Sequence, residues 1–216
     1  MQTRNAGLTM DYITRTFVRE PDFIAAARVE GERRRPGMQI SAYEGHLLQW
    51  LVGISGAANI LEIGTFMGVS TLWMAGGLPA GGRITSLEFA ADQAVQARAH
   101  VAASPHKNAI EIVHTDAHAW IAATPPEPQF DLVFIDAEKK GYVAYLEAML
   151  PRLKPRGWII GDNTLLFGAL SGENPDASNA ASIAVMKQFN EKLADSTRFE
   201  SVLLPTAEGL TVARLK

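Results

Sequence analysis

Cysteine is missing from all 216 residues of the chain. That excludes disulfides, zinc–thiolate sites and cysteine nucleophiles, and it suits a reducing compartment, so the cytoplasm is the expected location. Long hydrophobic runs are missing too. No segment approaches the ~20 apolar residues that a membrane helix needs, and the first 16 residues hold no apolar stretch of signal-peptide length. No membrane partner is therefore expected. Charge of either sign is not in excess: 20 Lys and Arg face 23 Asp and Glu, for a net charge of -3. A nucleic-acid binder usually shows a basic face, and here only Arg28 and Arg33–Arg35 form a local basic cluster. Internal repeats and low-complexity tracts are absent. His46, His100, His106, His114 and His118 show no metal-type spacing and read as surface or core residues, as the four tryptophans read as packing.

What is present is a regular alternation of apolar segments. Loosely helical spacing over residues 8–34 ends at Pro36-Gly37, a turn signal. A helix follows from Ser41 to Leu51, where Ser41 and Glu44 have the spacing of a capping box. Short apolar strands then alternate with helical stretches. The strands are 59–64, 83–88, 110–115, 131–136 and 157–162; the helices are 70–75, 90–103, 117–123, 142–153 and 182–195. Segments 199–204 and 210–215 read as a closing antiparallel hairpin around Gly209. Repeated strand–helix units predict an α/β fold, a mostly parallel sheet covered on both faces. Ligands of such sheets bind at the carboxyl ends of the strands. Those ends carry acid: Glu62, Glu88, Asp116, Asp136 and Asp162.

The first strand runs into the loop Gly64-Thr65-Phe66-Met67-Gly68-Val69-Ser70. Its glycines let backbone approach a ligand closely. Phe66 stands where a dinucleotide fingerprint has its middle glycine, and no Gly-Lys-Ser/Thr loop is present, so a nucleoside without pyrophosphate is the better match. Glu88 can accept from both hydroxyls of a ribose. Glu62 brings negative charge to a place where a ligand ammonium can sit. A nicotinamide-dependent oxidoreductase is the alternative from another class, and Phe66 speaks against it.

At the next two strand ends, Asp136 and the pair Asp162-Asn163 form an all-oxygen set if the strands are neighbours. Such a set suits Mg²⁺, Mn²⁺ or Ca²⁺ rather than zinc or copper. Lys139 follows Asp136 by three positions and is placed to take a proton from a metal-bound hydroxyl. The bland reading is a turn pair beside a solvated helix start.

Together, LEIGTFMGVSTLWMA, GGRITSLE, DLVFIDAEKKGY, GWIIGDNTLLFG and the upstream Pro36–Ser41 resemble the cation-dependent O-methyltransferases of the caffeoyl-CoA and catechol type over residues 36 to 214. The resemblance implies a single-domain class I methyltransferase fold with seven strands, the last antiparallel. It implies a domain over 36–216 preceded by a helical extension over 1–35. It implies an S-adenosylmethionine site at Met38, Ile40, Glu62, Gly64, Thr65, Ser70, Glu88, Ala117, Asp136 and Tyr145. Asp136, Asp162 and Asn163 match metal ligands, and Lys139 the base, with Asp136 also counted as catalytic. The implied reaction methylates a small hydroxylated aromatic, catechol-like or phenylpropanoid and CoA-linked in some members, in a homodimeric enzyme. A hydroxylated uridine in tRNA is the alternative acceptor. The resemblance departs where catechol enzymes place an acid near the chain end: Pro205 stands at or near that position.

Overall fold

The computed structural model describes residues 6–176 and 178–216; the first five residues of the N-terminal extension and position 177 of the loop before the last helix lie outside them. The chain runs α1 (Ala6–Phe17), α2 (Asp22–Arg34), α3 (Ala42–Ser55), β1 (Asn59–Ile63), α4 (Val69–Ala75), β2 (Arg83–Glu88), α5 (Ala91–Ala102), β3 (Ile110–His114), α6 (Ala117–Ala123), β4 (Phe130–Ile135), α7 (Tyr142–Met149), β5 (Leu153–Gly161), α8 (Ala180–Leu193), β6 (Phe199–Leu204) and β7 (Leu210–Leu215). The seven strands form one sheet in the order β3-β2-β1-β4-β5-β7-β6. β1 to β5 pair in parallel, and β7 pairs antiparallel with both β5 and β6. This is the predicted α/β architecture with its terminal hairpin.

Side chains alternate across the sheet because the strand period is two. Ile60, Leu132, Phe134 and Ile160 join one core cluster with α2, α3, α4 and α5. Leu61, Val133, Ile135 and Ile159 join the other with α6, α7 and α8. α2 buries Ile24 and Ala27 in the first cluster, so this part of the extension packs into the same core as the sheet. The loosely helical stretch 8–34 is two helices, parted at Pro21, which stands just before α2. Among the described residues no helix is long and apolar enough to cross a membrane.

Local chemistry explains the element ends that matter for the site. Ser41 and Glu44 do form the capping box of α3. The Ser41 hydroxyl accepts from Glu44 N at 3.1 Å, and Ser41 N donates to the Glu44 carboxylate at 2.9 Å. α3 runs on past Leu51 to Ser55 and stops at Gly56 in the left-handed region, φ 67°. Asp116 caps α6 by accepting from Ala119 N. Two predicted bounds are corrected. α7 ends at Met149 rather than 153, because Pro151 has no N–H to continue the ladder and sits in a 3₁₀ turn, Leu150–Arg152. β5 starts at Leu153 rather than 157: pairing with β4 jumps from Phe130–Leu153 to Leu132–Trp158, so residues 154–157 bulge out, with Pro155 among them and Arg156 at φ 62°.

The parallel registers place strand ends side by side. Asp136 N donates to Ile63 O at 2.9 Å, and Asp162 N to Ile135 O at 3.0 Å. The loop after β1 also passes very close to the end of β4. A Cβ on Gly64 would stand 1.9 Å from the Asp136 carbonyl oxygen, and its φ is 100°. Gly64→Ala should therefore lower stability by more than about 3 kcal/mol in urea unfolding, through clash and backbone strain together. An unchanged midpoint would show that the two loops do not touch as described.

Candidate active site

A cavity of about 850 Å³ opens at the carboxyl ends of β1, β2, β4 and β5, in the size range of small-molecule sites. It lies at the switch point where β1 and β4 are neighbours but their connections leave in opposite directions.

At its glycine-loop end, Glu88 is nearly buried and its carboxylate accepts from Phe66 N at 2.7 Å, Thr65 N at 3.3 Å and Ala90 N at 2.8 Å. The glycine loop thus wraps the acid at the end of β2. Phe66 makes that wrap in the left-handed region, φ 51°, and itself lines the cavity. Met38, Ile40, Gly64, Thr65, Ser70, Ala117 and Tyr145 all line the cavity as well. Tyr145 donates to Glu138 at 2.8 Å and stacks on His118, with ring centroids 4.4 Å apart.

Glu62 is placed differently from the expectation. It does not line the cavity and has no exposed surface. Its carboxylate accepts from Ser70 at 2.5 Å, Ser86 at 2.5 Å and Thr71. The cause is the strand period: Glu62 points to the face covered by α4, one layer behind Ser70, so it meets hydroxyls rather than a ligand ammonium. Burial pushes its pKa up to about 7, against the pull of the three hydroxyls.

The opposite side is acidic. Asp136, Lys139, Asp162 and Asn163 meet there. The Lys139 ammonium donates to Asn163 Oδ1 at 2.5 Å, to the Tyr142 hydroxyl at 2.8 Å and to Asp136 Oδ1 at 3.3 Å. Tyr142 in turn donates to the carbonyls of Asp162 at 2.9 Å and Ile135 at 3.2 Å, tying the ends of β4 and β5. Its phenol is pushed well up by burial and by the acids around it. Asp162 is buried, and among the described residues its Oδ1 has no hydrogen-bond partner; Glu44 Oε1 is likewise buried and unpartnered among them. Burial, then the charges of Asp136 and Glu44, push the Asp162 carboxyl well up. Glu208 is pushed up to about 7, by burial first and the Glu44 charge second.

Among the described residues, no three acids or histidines close on one point as a ready-made metal site. The set is instead two carboxylates and an amide oxygen. It fits a hard divalent cation on two observations. Asp162 leaves a buried oxygen unsatisfied, and the ammonium between Asp136 and Asn163 shows that these oxygens already converge on positive charge.

Glu44 and Glu208 line the cavity although the sequence pattern did not mark them for it. Glu44 was legible only as a cap; one oxygen does cap, while the other is the unpartnered atom. Phe167, at φ 54°, lines the cavity as well. At the chain end, the turn after β6 carries Ala207 and Glu208, not Pro205, to the cavity wall.

Seven strands in this order, with a glycine loop wrapped around an acid at the switch point, are the architecture of a class I S-adenosylmethionine-dependent methyltransferase. The O-methyltransferase family profile matches residues 19–216. The catechol O-methyltransferases of Niastella koreensis and Mycobacterium tuberculosis are 31% and 32% identical, covering 95% and 91% of this chain and 95% and 90% of their own. A solved O-methyltransferase of Bacillus cereus in complex with SAH superposes with a TM-score of 0.84 at 31% identity, over 95% of this chain and 96% of that one. The chain belongs to the O-methyltransferase family and is an S-adenosylmethionine-dependent O-methyltransferase.

The buried Glu62 makes a pH prediction. Its carboxyl has an ordinary value of 4.5 and a native value of about 7, so the native state keeps the proton longer than the unfolded chain. Stability contributed by this group is fully present below pH 4.5 and lost as pH rises through 7. Replacing Glu62 by Gln should flatten the stability–pH curve over that window, by up to about 3 kcal/mol in urea titrations. Parallel curves for the two proteins would show that Glu62 is ionised in the native state throughout.

Proposed function

We propose that this enzyme methylates one hydroxyl of a small vicinal-dihydroxy aromatic, with a divalent cation, Mg²⁺ in the first instance, held by Asp136, Asp162 and Asn163. The observation that carries the reading is the unsatisfied Asp162 oxygen at the rim where Asp136 and Asn163 already converge on an ammonium. A cation bound there supplies Lewis acidity that lowers the pKa of an acceptor hydroxyl. S-adenosylmethionine, when bound, supplies a sulfonium methyl for an acceptor oxygen to take up.

The chain's own residues do the rest. Lys139 Nζ is the base: it lies within hydrogen-bond reach of both Asp136 and Asn163, so a hydroxyl presented at those oxygens meets it directly. Tyr142 holds the amine in place from below. Glu88, Thr65, Ser70, Ala117, Met38 and Ile40 all line the cavity; in this reading the first four would form the wall for the donor, with Met38 and Ile40 flanking its methyl or amino-acid portion. Fixing both partners in one cavity supplies much of the rate through orientation.

The basic cluster does not favour a polyanionic acceptor such as tRNA or an acyl-CoA. Arg28 is held by Glu20 at 2.7 Å, and Arg34 by Glu30 at 2.6 Å and Asp92 at 3.2 Å. The cavity that Arg28 lines carries Glu32 and Glu208 as well. The cysteine-free composition supports a cytoplasmic enzyme, and the family likeness supports a homodimer.

Methyl transfer from labelled S-adenosylmethionine to a panel of catechols should proceed with Mg²⁺ and stop with EDTA. Turnover that survives EDTA would overturn the cation reading while leaving the methyltransferase intact. Asp136→Ala should abolish the metal-dependent rate with an unchanged circular dichroism spectrum. Lys139→Ala should lower kcat by about 10²- to 10⁴-fold, the range for a lost general base, with little change in S-adenosylhomocysteine affinity. Equal losses in both would assign Lys139 a structural role.

A further inference from the structure

The two ends of an asparagine amide have nearly the same shape and opposite chemistry: the oxygen accepts, the nitrogen donates. Only the oxygen can face a cation. Asn163 sits at the start of the loop after β5, in the left-handed region at φ 52°.

The chain end decides which way that amide turns. Leu165 N donates to Glu208 O at 2.8 Å and Thr164 N donates to Gly209 O at 2.9 Å, so the loop after β5 is zipped to the turn before β7. Gly209 has φ 82°, and a Cβ there would stand 2.7 Å from Leu165 N. No side chain fits at 209, which prevents the zipper from sliding by a residue. Thr211 braces it from β7, its hydroxyl donating to the Thr164 hydroxyl at 2.9 Å, and Asn190 of α8 donates to Thr164 O at 2.8 Å. This frame holds the half-buried Glu208 carboxylate against Asn163 Nδ2, which donates to it. A carboxylate offers acceptors only. It therefore takes the NH₂ end and leaves Oδ1 toward the Lys139 ammonium, 2.5 Å away.

We infer that Glu208 is a positioning residue: it locks the Asn163 amide with its oxygen toward the cation site and so sets that site's affinity for divalent ions. The inference rests on the reading of Asp136, Asp162 and Asn163 as the ligand set. Partners that orient metal ligands in this way typically carry a 10–100-fold share of affinity.

The test is Mn²⁺ alone, titrated at pH 8 into the full chain and followed by electron paramagnetic resonance. Glu208→Gln can donate as well as accept, so the amide loses its enforced sense, and Mn²⁺ affinity should fall about tenfold or more. Combining it with Asn163→Asp restores the net charge and the hydrogen bond with its polarity reversed: the new amide donates to one carboxylate oxygen and the other faces the cation. That double variant should return to within about threefold of wild type. Unchanged affinity in Glu208→Gln overturns the inference. A loss that the double variant does not repair also overturns it, and assigns Glu208 a direct or purely electrostatic part. S-adenosylhomocysteine affinity, measured alongside, should stay constant in all variants; its loss together with Mn²⁺ in the double variant would overturn the inference in favour of a structural role. Wild-type protein that takes up no Mn²⁺ would overturn the cation reading itself, a different result from either.

Discussion

Everything at this site hangs on the alignment of three parallel strand ends. Asp136 N donates to the carbonyl of Ile63, and Asp162 N to that of Ile135. Those two bonds bring the residues just past β1, β4 and β5 to one rim. Gly64 is the condition for it, since a side chain there would strike the Asp136 carbonyl. Tyr142 secures the same rim from α7 by donating to carbonyls of both β4 and β5. The sheet gives the site its rigidity, and the loops beyond the rim supply the walls.

The rim concentrates negative charge in a partly desolvated place. The charges of Asp136 and Glu44 help to push up the carboxyls of Asp162 and Glu208, and Lys139 is the cation that counters them. Like charges that close in a low-dielectric wall are unfavourable unless positive charge enters. The same electrostatics suit a site that binds a cation and a cationic sulfonium donor. Burial works separately on Glu62, one layer behind the cavity, where three hydroxyls replace water. Its role in this structure is to fasten α4 and β2 to β1 behind the glycine loop.

Local signals carried much of the architecture. The Ser41–Glu44 spacing predicted a cap that is present, and the alternation of apolar strands and helices predicted the strands and a mostly parallel sheet. Signals failed where the chain broke its period. The bulge at 154–157 hid the first half of β5, and Pro151 cut α7 short. Glu208 was invisible because nothing in the stretch 204–209 says which residue a turn will carry back to a loop 45 residues earlier.

By itself the sequence determined the fold class, the strand ends at which chemistry gathers, the glycine loop and the kind of atoms offered there. Those follow from local periodicity and residue type, which act over a few positions. Only the tertiary structure decided that Glu62 turns inward while Ser70 faces the cavity, that one oxygen of Glu44 caps a helix while the other stays unpartnered, and that Glu208 reaches Asn163. Each of these depends on which strands are neighbours and on which face a side chain falls. Pairing between segments far apart in the chain sets both, and no local pattern encodes it.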